Sequence, residues 1–376
     1  MKNNSATNKL VTIFSILAIM CLMVIILNFT KNVFKPIVVA ALGAVIMLPI
    51  KNWLQRFLKF PAIASFVSLI VVLVPVSAIA YVVARRVNVV VENIPSINKL
   101  IDNVISKINY WMGHSSIING AQEIDLEDSI QKNSDSIFNF LSDGVTLSSS
   151  VLFMIILTLI STFFFLWYSS AIKEFILIQS SPNKRAQING IIIQLQEMLT
   201  KYVYGLLLVS LIMGVLNSLG LWALGVEYPF LWGFLAALLC IVPYLGTTLG
   251  ALLPIFYVIG SGGEFMLAVW IGLMYFGLQQ LENNVITPKI VGDSIRINPL
   301  TVIIAMLIGG LVWGIIGIIL SLPLVGILRI ILDSYEPTKP IAVLISSDIH
   351  KDKYSLLDNY DHEVYRLKRM FKKNEE

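Results

Sequence analysis

An all-α, polytopic membrane protein with about eight membrane segments is the fold this sequence predicts, and three observations carry it. Of 376 residues, 57% are hydrophobic and 13% charged, whereas a soluble domain carries about 25% charged residues. The apolar residues fall in runs of about 20, the length needed to cross a hydrocarbon core of about 30 Å. Two further runs are longer than one span and are interrupted by glycine and proline, which makes them broken segments, either kinked spans or re-entrant hairpins.

Residues 10–29 form the first span. The run is too long for a signal-peptide core and has no small-residue cleavage site, so it is expected to be retained. Residues 33–50 form the second, with Lys35 placed to snorkel and Lys51, Arg56 and Lys59 in a compact basic loop after it. Residues 61–84 form the third, ended by Arg85 and Arg86, and complete an N-terminal block, 1–84. The 85–144 segment differs in character: over 85–143 there are five basic and eight acidic residues, and apolar residues recur at helical spacing from Val87 through Val91, Ile94, Ile97 and Ile101. This is an arm of amphipathic helices, packed either on its own protomer or on neighbouring subunits.

Residues 145–333 form the transmembrane core. Within it 145–168 is the fourth span, and 173–201 is a loop with four positive and two negative residues, of which 186–199 reads as an amphipathic surface helix. The fifth span, 203–226, carries Gly205, Gly214, Asn217 and Gly220. Small residues at that density serve close helix packing, and the Asn217 amide is assigned to interhelical hydrogen bonding rather than to a site. The first over-long run covers 228–260, with its break at Pro243 to Gly250; 265–281 is a further span; 299–332 is the second over-long run, broken at Gly309-Gly310. Residues 334–376 form a soluble tail, and its 364–373 stretch carries five basic residues that suit either anionic lipid or water.

Positive residues mark the cytoplasmic ends of short loops, which places both termini in the cytoplasm and the arm outside, with Lys31, Arg85 and Arg86 dissenting. Kinked runs give eight spans; re-entrant runs give six spans and two hairpins whose tips approach at mid-membrane. Paired broken segments of this kind are where transporters bind ions and polar solutes.

Candidate pathway residues follow from polarity near hydrocarbon, which is costly unless it faces protein, ions or water. They are Gln279, Gln280, Glu282, Asn283 and Asn284, together with Pro243, Tyr244, Gly246 and Thr247 at the first break and Gly309 and Gly310 at the second. Glu282 is the ionisable candidate, either taking a proton or cation or pairing at the interface with Lys289 or Arg296. The amides offer donors and acceptors to a small polyhydroxylated solute. Thr248 would do the same.

Other chemistry is not supported. There is no Walker A loop, HExxH or GxSxG, and the Ile290-Val-Gly-Asp293 stretch lacks the second aspartate that acid/base proteolysis needs. The chain therefore reads as a non-enzyme. Cys21 and Cys240 form neither a disulfide nor a metal site, His114, His350 and His362 are solvated, and no cofactor is expected. A net charge of +4, concentrated in loops and tail, suits membrane orientation and excludes nucleic acid as partner.

Four motifs also carry a family resemblance: Pro-Tyr-x-Gly at Pro243 to Gly246, Gln-x-x-Glu-Asn-Asn at Gln279 to Asn284, Pro288, and Asn298-Pro299 ahead of Gly309-Gly310. In these the sequence resembles the autoinducer-2 exporter family of bacterial membrane permeases, most clearly over 198–333. Relatives commonly have Gly-Gln where this chain has Gly205-Leu206, so no role of that glutamine carries over. The resemblance implies a bacterial inner-membrane permease that exports an autoinducer-2-like solute without ATP. It also implies a homo-oligomer, with a pentamer as one form, and sodium/proton antiport as the alternative activity. A scaffold or sporulation-type membrane factor acting through arm and tail is the reading from another class.

Overall fold

The computed structural model describes residues 31–93, 149–242, 246–292 and 294–347, with Ser15, Leu22, Ile26, Phe29, Thr30 and Tyr365 besides. The first span, most of the arm, Pro243, Tyr244 and most of the tail lie outside the described residues, as do the side chains of Thr247 and of 82–84 and 86–93. The described residues are helical, with no strand beyond an isolated bridge between Ile297 and Ser346. The elements are α1 (Lys31–Leu54), α2 (Pro61–Asn93), α3 (Ser149–Trp167), α4 (Ser169–Ile178), α5 (Arg185–Ala223), α6 (Pro229–Leu239), α7 (Gly246–Gly260), α8 (Phe265–Leu281), a π-helical turn (Glu282–Ile286), α9 (Thr287–Ile290), α10 (Pro299–Trp313), α11 (Ile315–Asp333) and α12 (Lys339–Ile345).

Five helices are long and apolar enough to cross a membrane, or six if the bent α3–α4 pair counts as one. The expected count of eight is not matched among the described residues. The first expected span lies outside the described residues, and the 228–260 run is divided into α6 and α7 of 11 and 15 residues, each short of the roughly 20 that a span needs.

Three boundaries also differ from expectation. Arg85-Arg86 does not end the third span's helix, which continues to Asn93, because arginine is a good helix former even where it ends an apolar window. The surface helix and the fifth span are one 39-residue helix, α5. At 1.5 Å per residue it is about 59 Å long, nearly twice a hydrocarbon core. The loop expected from residue 173 is in part α4, turned by 61° from α3 at Tyr168.

The chain divides into two units, each built from separated stretches. The first comprises Met1–Leu69, Phe153–Tyr202 and Ser294–Glu376. In it the α3–α4 bend is held by Lys51, which the sequence places in a basic loop but which is 1% exposed. Its Nζ donates to the Leu166 carbonyl at 2.7 Å and to Ser169 Oγ at 2.8 Å. An ammonium at this position satisfies a helix-end carbonyl and complements the negative end of the α3 dipole.

The second over-long run also lies in this unit, as a helical hairpin of α10 and α11. Its turn is at Gly314, not at Gly309-Gly310, which sit inside α10. Gly314 adopts φ 66°, ψ −144°, a region essentially closed to residues with a Cβ. Gly309 instead packs backbone against backbone on Gly317. A glycine pair thus reads as a break in sequence but here serves close approach of two helices.

Asn298-Pro299 starts the hairpin. The Asn298 side chain accepts from the Thr301 N–H at 2.8 Å, capping α10, and donates to the Leu344 carbonyl at 2.7 Å. Proline follows at the first helical position, where its missing N–H costs nothing. Residues 345–347 bond back to 296–298 through the Asn298 N–H to Ile345 and the Ser347 N–H to Arg296, so the start of the tail docks on the base of the hairpin. Asn298→Ala is expected to lower stability by about 2 kcal/mol, the sum of a cap and one further hydrogen bond. Asn298→Asp should recover the cap part alone, as read from thermal unfolding of the purified protein.

The second unit comprises Ile70–Leu152 and Val203–Asp293. The first over-long run lies here, again as a helical hairpin, with α6 and α7 packed through Gly250 on Ala236 and Gly246 on the Leu239 carbonyl. Around it a core gathers Leu221 of α5, Trp232 and Ala236 of α6, Val258 of α7, and Ile271 and Tyr275 of α8.

Candidate functional site

The polar cluster sits where α8 loses its regular winding. Pro288 has no N–H to give to Asn284, and its ring crowds the carbonyl four residues back. The chain from Glu282 to Ile286 takes the wider π-helical turn instead, a form that recurs at functional sites.

This winding sorts the five polar residues by face. Gln280, Asn283 and Asn284 are exposed. Asn284 Nδ2 donates to the Gln280 carbonyl at 2.8 Å and to Gln280 Oε1 at 3.3 Å, and Gln279 Nε2 donates to Asn283 Oδ1 at 3.1 Å. Glu282 turns inward and is 9% exposed. Its carboxylate accepts from the Cys240 thiol, with Sγ at 3.5 Å from Oε1 and 3.7 Å from Oε2, and from Gln279. The partners of Glu282 are thus a thiol and an amide rather than Lys289. Arg296 belongs to the other unit.

Cys240 is the C-cap of α6, at the edge of the first break. The structure therefore brings the Gln-x-x-Glu-Asn-Asn segment onto the turn of the α6–α7 hairpin, inside one unit. Gly246 opens α7 against the end of α6: its N–H donates to the Val242 carbonyl at 2.9 Å, and a Cβ there would run into the Leu239 carbonyl. This close approach is what the Pro-Tyr-x-Gly glycine permits. Pro243 and Tyr244, and the side chain of Thr247, are outside the described residues, and Thr248 is exposed. Gly309 and Gly310 belong to the other unit.

Sequence reasoning set Cys240 aside because it lies in an apolar run without CxxC or Cys/His spacing, and its partner, 42 residues away, was not visible. One signal was present. Ile271, Tyr275 and Glu282, at i, i+4 and i+11, share one helical face, and all three are buried. Among the described residues no group of three or more His, Cys, Asp or Glu side chains is placed to hold a metal.

Residues 14–337 match the model of the AI-2E transporter family. The chain belongs to this family. The match extends the resemblance well before residue 198. Among curated relatives, "Putative transport protein YrrI" of Bacillus subtilis is 24% identical over 317 residues, 80% of this chain and 86% of that protein. "Putative transport protein YhhT" of Escherichia coli is 22% identical over 321 residues, 85% of this chain and 89% of its own. "AI-2 transport protein TqsA" of Escherichia coli is 33% identical over 144 residues, 38% of this chain and 41% of that protein. This AI-2E family member is a multi-pass membrane transporter.

Proposed function

We propose that this transporter exports a small polar solute of the autoinducer-2 type across a bacterial inner membrane, as a secondary carrier without ATP. The observation that carries the reading is the Glu282–Cys240 contact. It sets a buried carboxylate, flanked by amides, on the turn of a Gly/Pro-broken hairpin, and broken segments of this kind supply half-helix ends and free carbonyls to a solute. The name of TqsA, an AI-2 transport protein, supports the choice of solute. The buried carboxylate itself favours a second reading, sodium/proton antiport, because a carboxylate held by a thiol and an amide retains capacity for a proton or a cation. The working form is a homo-oligomer, a pentamer being one option, which mass photometry in nanodiscs measures directly.

The test is flux in liposomes holding the purified protein, with no nucleotide present. Autoinducer-2 efflux and sodium-driven proton movement are followed side by side. Efflux supports the exporter; proton movement alone supports the antiporter. Neither, from a folded sample whose cellular function is lost on deleting residues 85–144, moves the assignment to a membrane scaffold.

A further inference from the structure

Among the described residues of the second unit four polar atoms are buried without a hydrogen-bond partner, three of them being Asn217 Oδ1 on α5, Trp232 Nε1 on α6 and Tyr275 Oη on α8. The residues are 4%, 8% and 7% exposed. Buried polar groups are nearly always paired, and each exception calls for a reason.

Their placement supplies one, because all three lie at the same level of the unit. Gly220 of α5 packs on Met274 of α8, and Ser218 of α5 packs on Gly233 of α6. Asn217 adjoins both contacts on α5, Tyr275 follows Met274, and Trp232 precedes Gly233. Leu221, one turn beyond Asn217, joins Trp232 and Tyr275 in a single packed cluster. Within about one helical turn, then, two donors and one acceptor stand on three packed helices with nothing to bond. Seven residues along α8 from Tyr275, about 10 Å and two turns on the same face, stands Glu282. Ser210 lies seven residues before Asn217 on α5, and its Oγ is likewise buried and unpartnered.

We propose that Asn217, Trp232 and Tyr275 form a binding layer for an uncharged small solute bearing hydroxyl or carbonyl groups, one layer from Glu282. A solute oxygen accepts from Trp232 Nε1–H and Tyr275 O–H, and a solute hydroxyl donates to Asn217 Oδ1. No formal charge lies among the three residues, which disfavours an ion and leaves ion coupling to Glu282. A site that already holds its donors and acceptor without a protein partner rejects an apolar analogue strongly, since that ligand would leave them unpaired. The assignment rests on the transport reading above and deepens it.

The experiment uses the full chain in nanodiscs and liposomes, with autoinducer-2 as the probe. The variants are Tyr275→Phe, which removes only the hydroxyl, and Asn217→Leu, which removes the amide at similar volume. The expected result is that autoinducer-2 raises the Tm of the wild type and not that of either variant, while the variants without solute are as stable as wild type or more so. The half-saturation concentration for efflux rises at least tenfold in both.

Variants that bind and transport like wild type overturn the layer and leave the transporter standing. A wild type that binds and variants that do not, with no flux in either, keep the layer and remove the export reading. No Tm rise in the wild type overturns the assignment; if the variants are also less stable than wild type, the three atoms serve water or packing alone.

Discussion

Glu282→Gln is expected to lower solute or ion flux by about 100-fold while the protein folds as before. The two halves of this result have separate causes. Glutamine has the shape of glutamate, and its amide oxygen still accepts from the Cys240 thiol and from Gln279, so the local packing is retained. Removing a charge from a site that is 9% exposed relieves desolvation, so stability is expected to hold or rise. What the variant loses is the ability to take up a proton or hold a cation. If flux depends on that step, a limiting barrier raised by about 3 kcal/mol corresponds to the 100-fold. Liposome flux and thermal unfolding on the same preparation measure both halves. A variant with wild-type flux and wild-type sodium dependence would make Glu282 a structural residue.

Gly246→Ala should produce the opposite pattern, a loss of fold that takes activity with it. The added methyl would meet the Leu239 carbonyl and the Cys240 Cα. Both are backbone atoms that cannot swing aside as a side chain end would, so α7 must shift along α6. Overpacking of this kind costs about 3 kcal/mol or more, and the same shift moves Cys240 away from Glu282. Lower thermal stability with reduced flux is the expected outcome. Gly190→Ala is the control: nothing lies within 4 Å of its added methyl on α5, and gaining helix propensity there should stabilise the protein by about 1 kcal/mol.

Much of the fold was legible because hydrocarbon imposes a length. Runs of apolar residues near 20 gave the helices α1 and α8 close to their true ends, and Gly/Pro interruptions correctly set two runs apart from the rest. Backbone continuity was less visible. At Lys201 the chain changes from polar to apolar, which reads as a boundary, yet no residue there breaks a helix and α5 runs through. At Gly309-Gly310 the composition says break, while the deciding quantity is a positive φ, found five residues on at Gly314.

The candidate site shows the same division. The cluster at 279–284 could be found because polar residues beside apolar ones stand out. Which of them turns inward could not, since that depends on the π-helical turn and on a thiol from another helix. Asn217 was assigned to interhelical bonding, a sound prior for an amide in a span; its carbonyl oxygen has no such bond.

The contact between Gly309 and Gly317 constrains how the α10–α11 hairpin can take part in alternating access. Where main chain touches main chain at Gly309 and Gly317, no flexible side chain lies between the two arms over which one could ratchet past the other. Sliding would force carbonyls through one another's van der Waals surfaces, so under the carrier reading proposed above the arms would travel together as a single lever. Under that reading the base of the lever, where Asn298 ties α10 to the end of α12, would serve as its pivot.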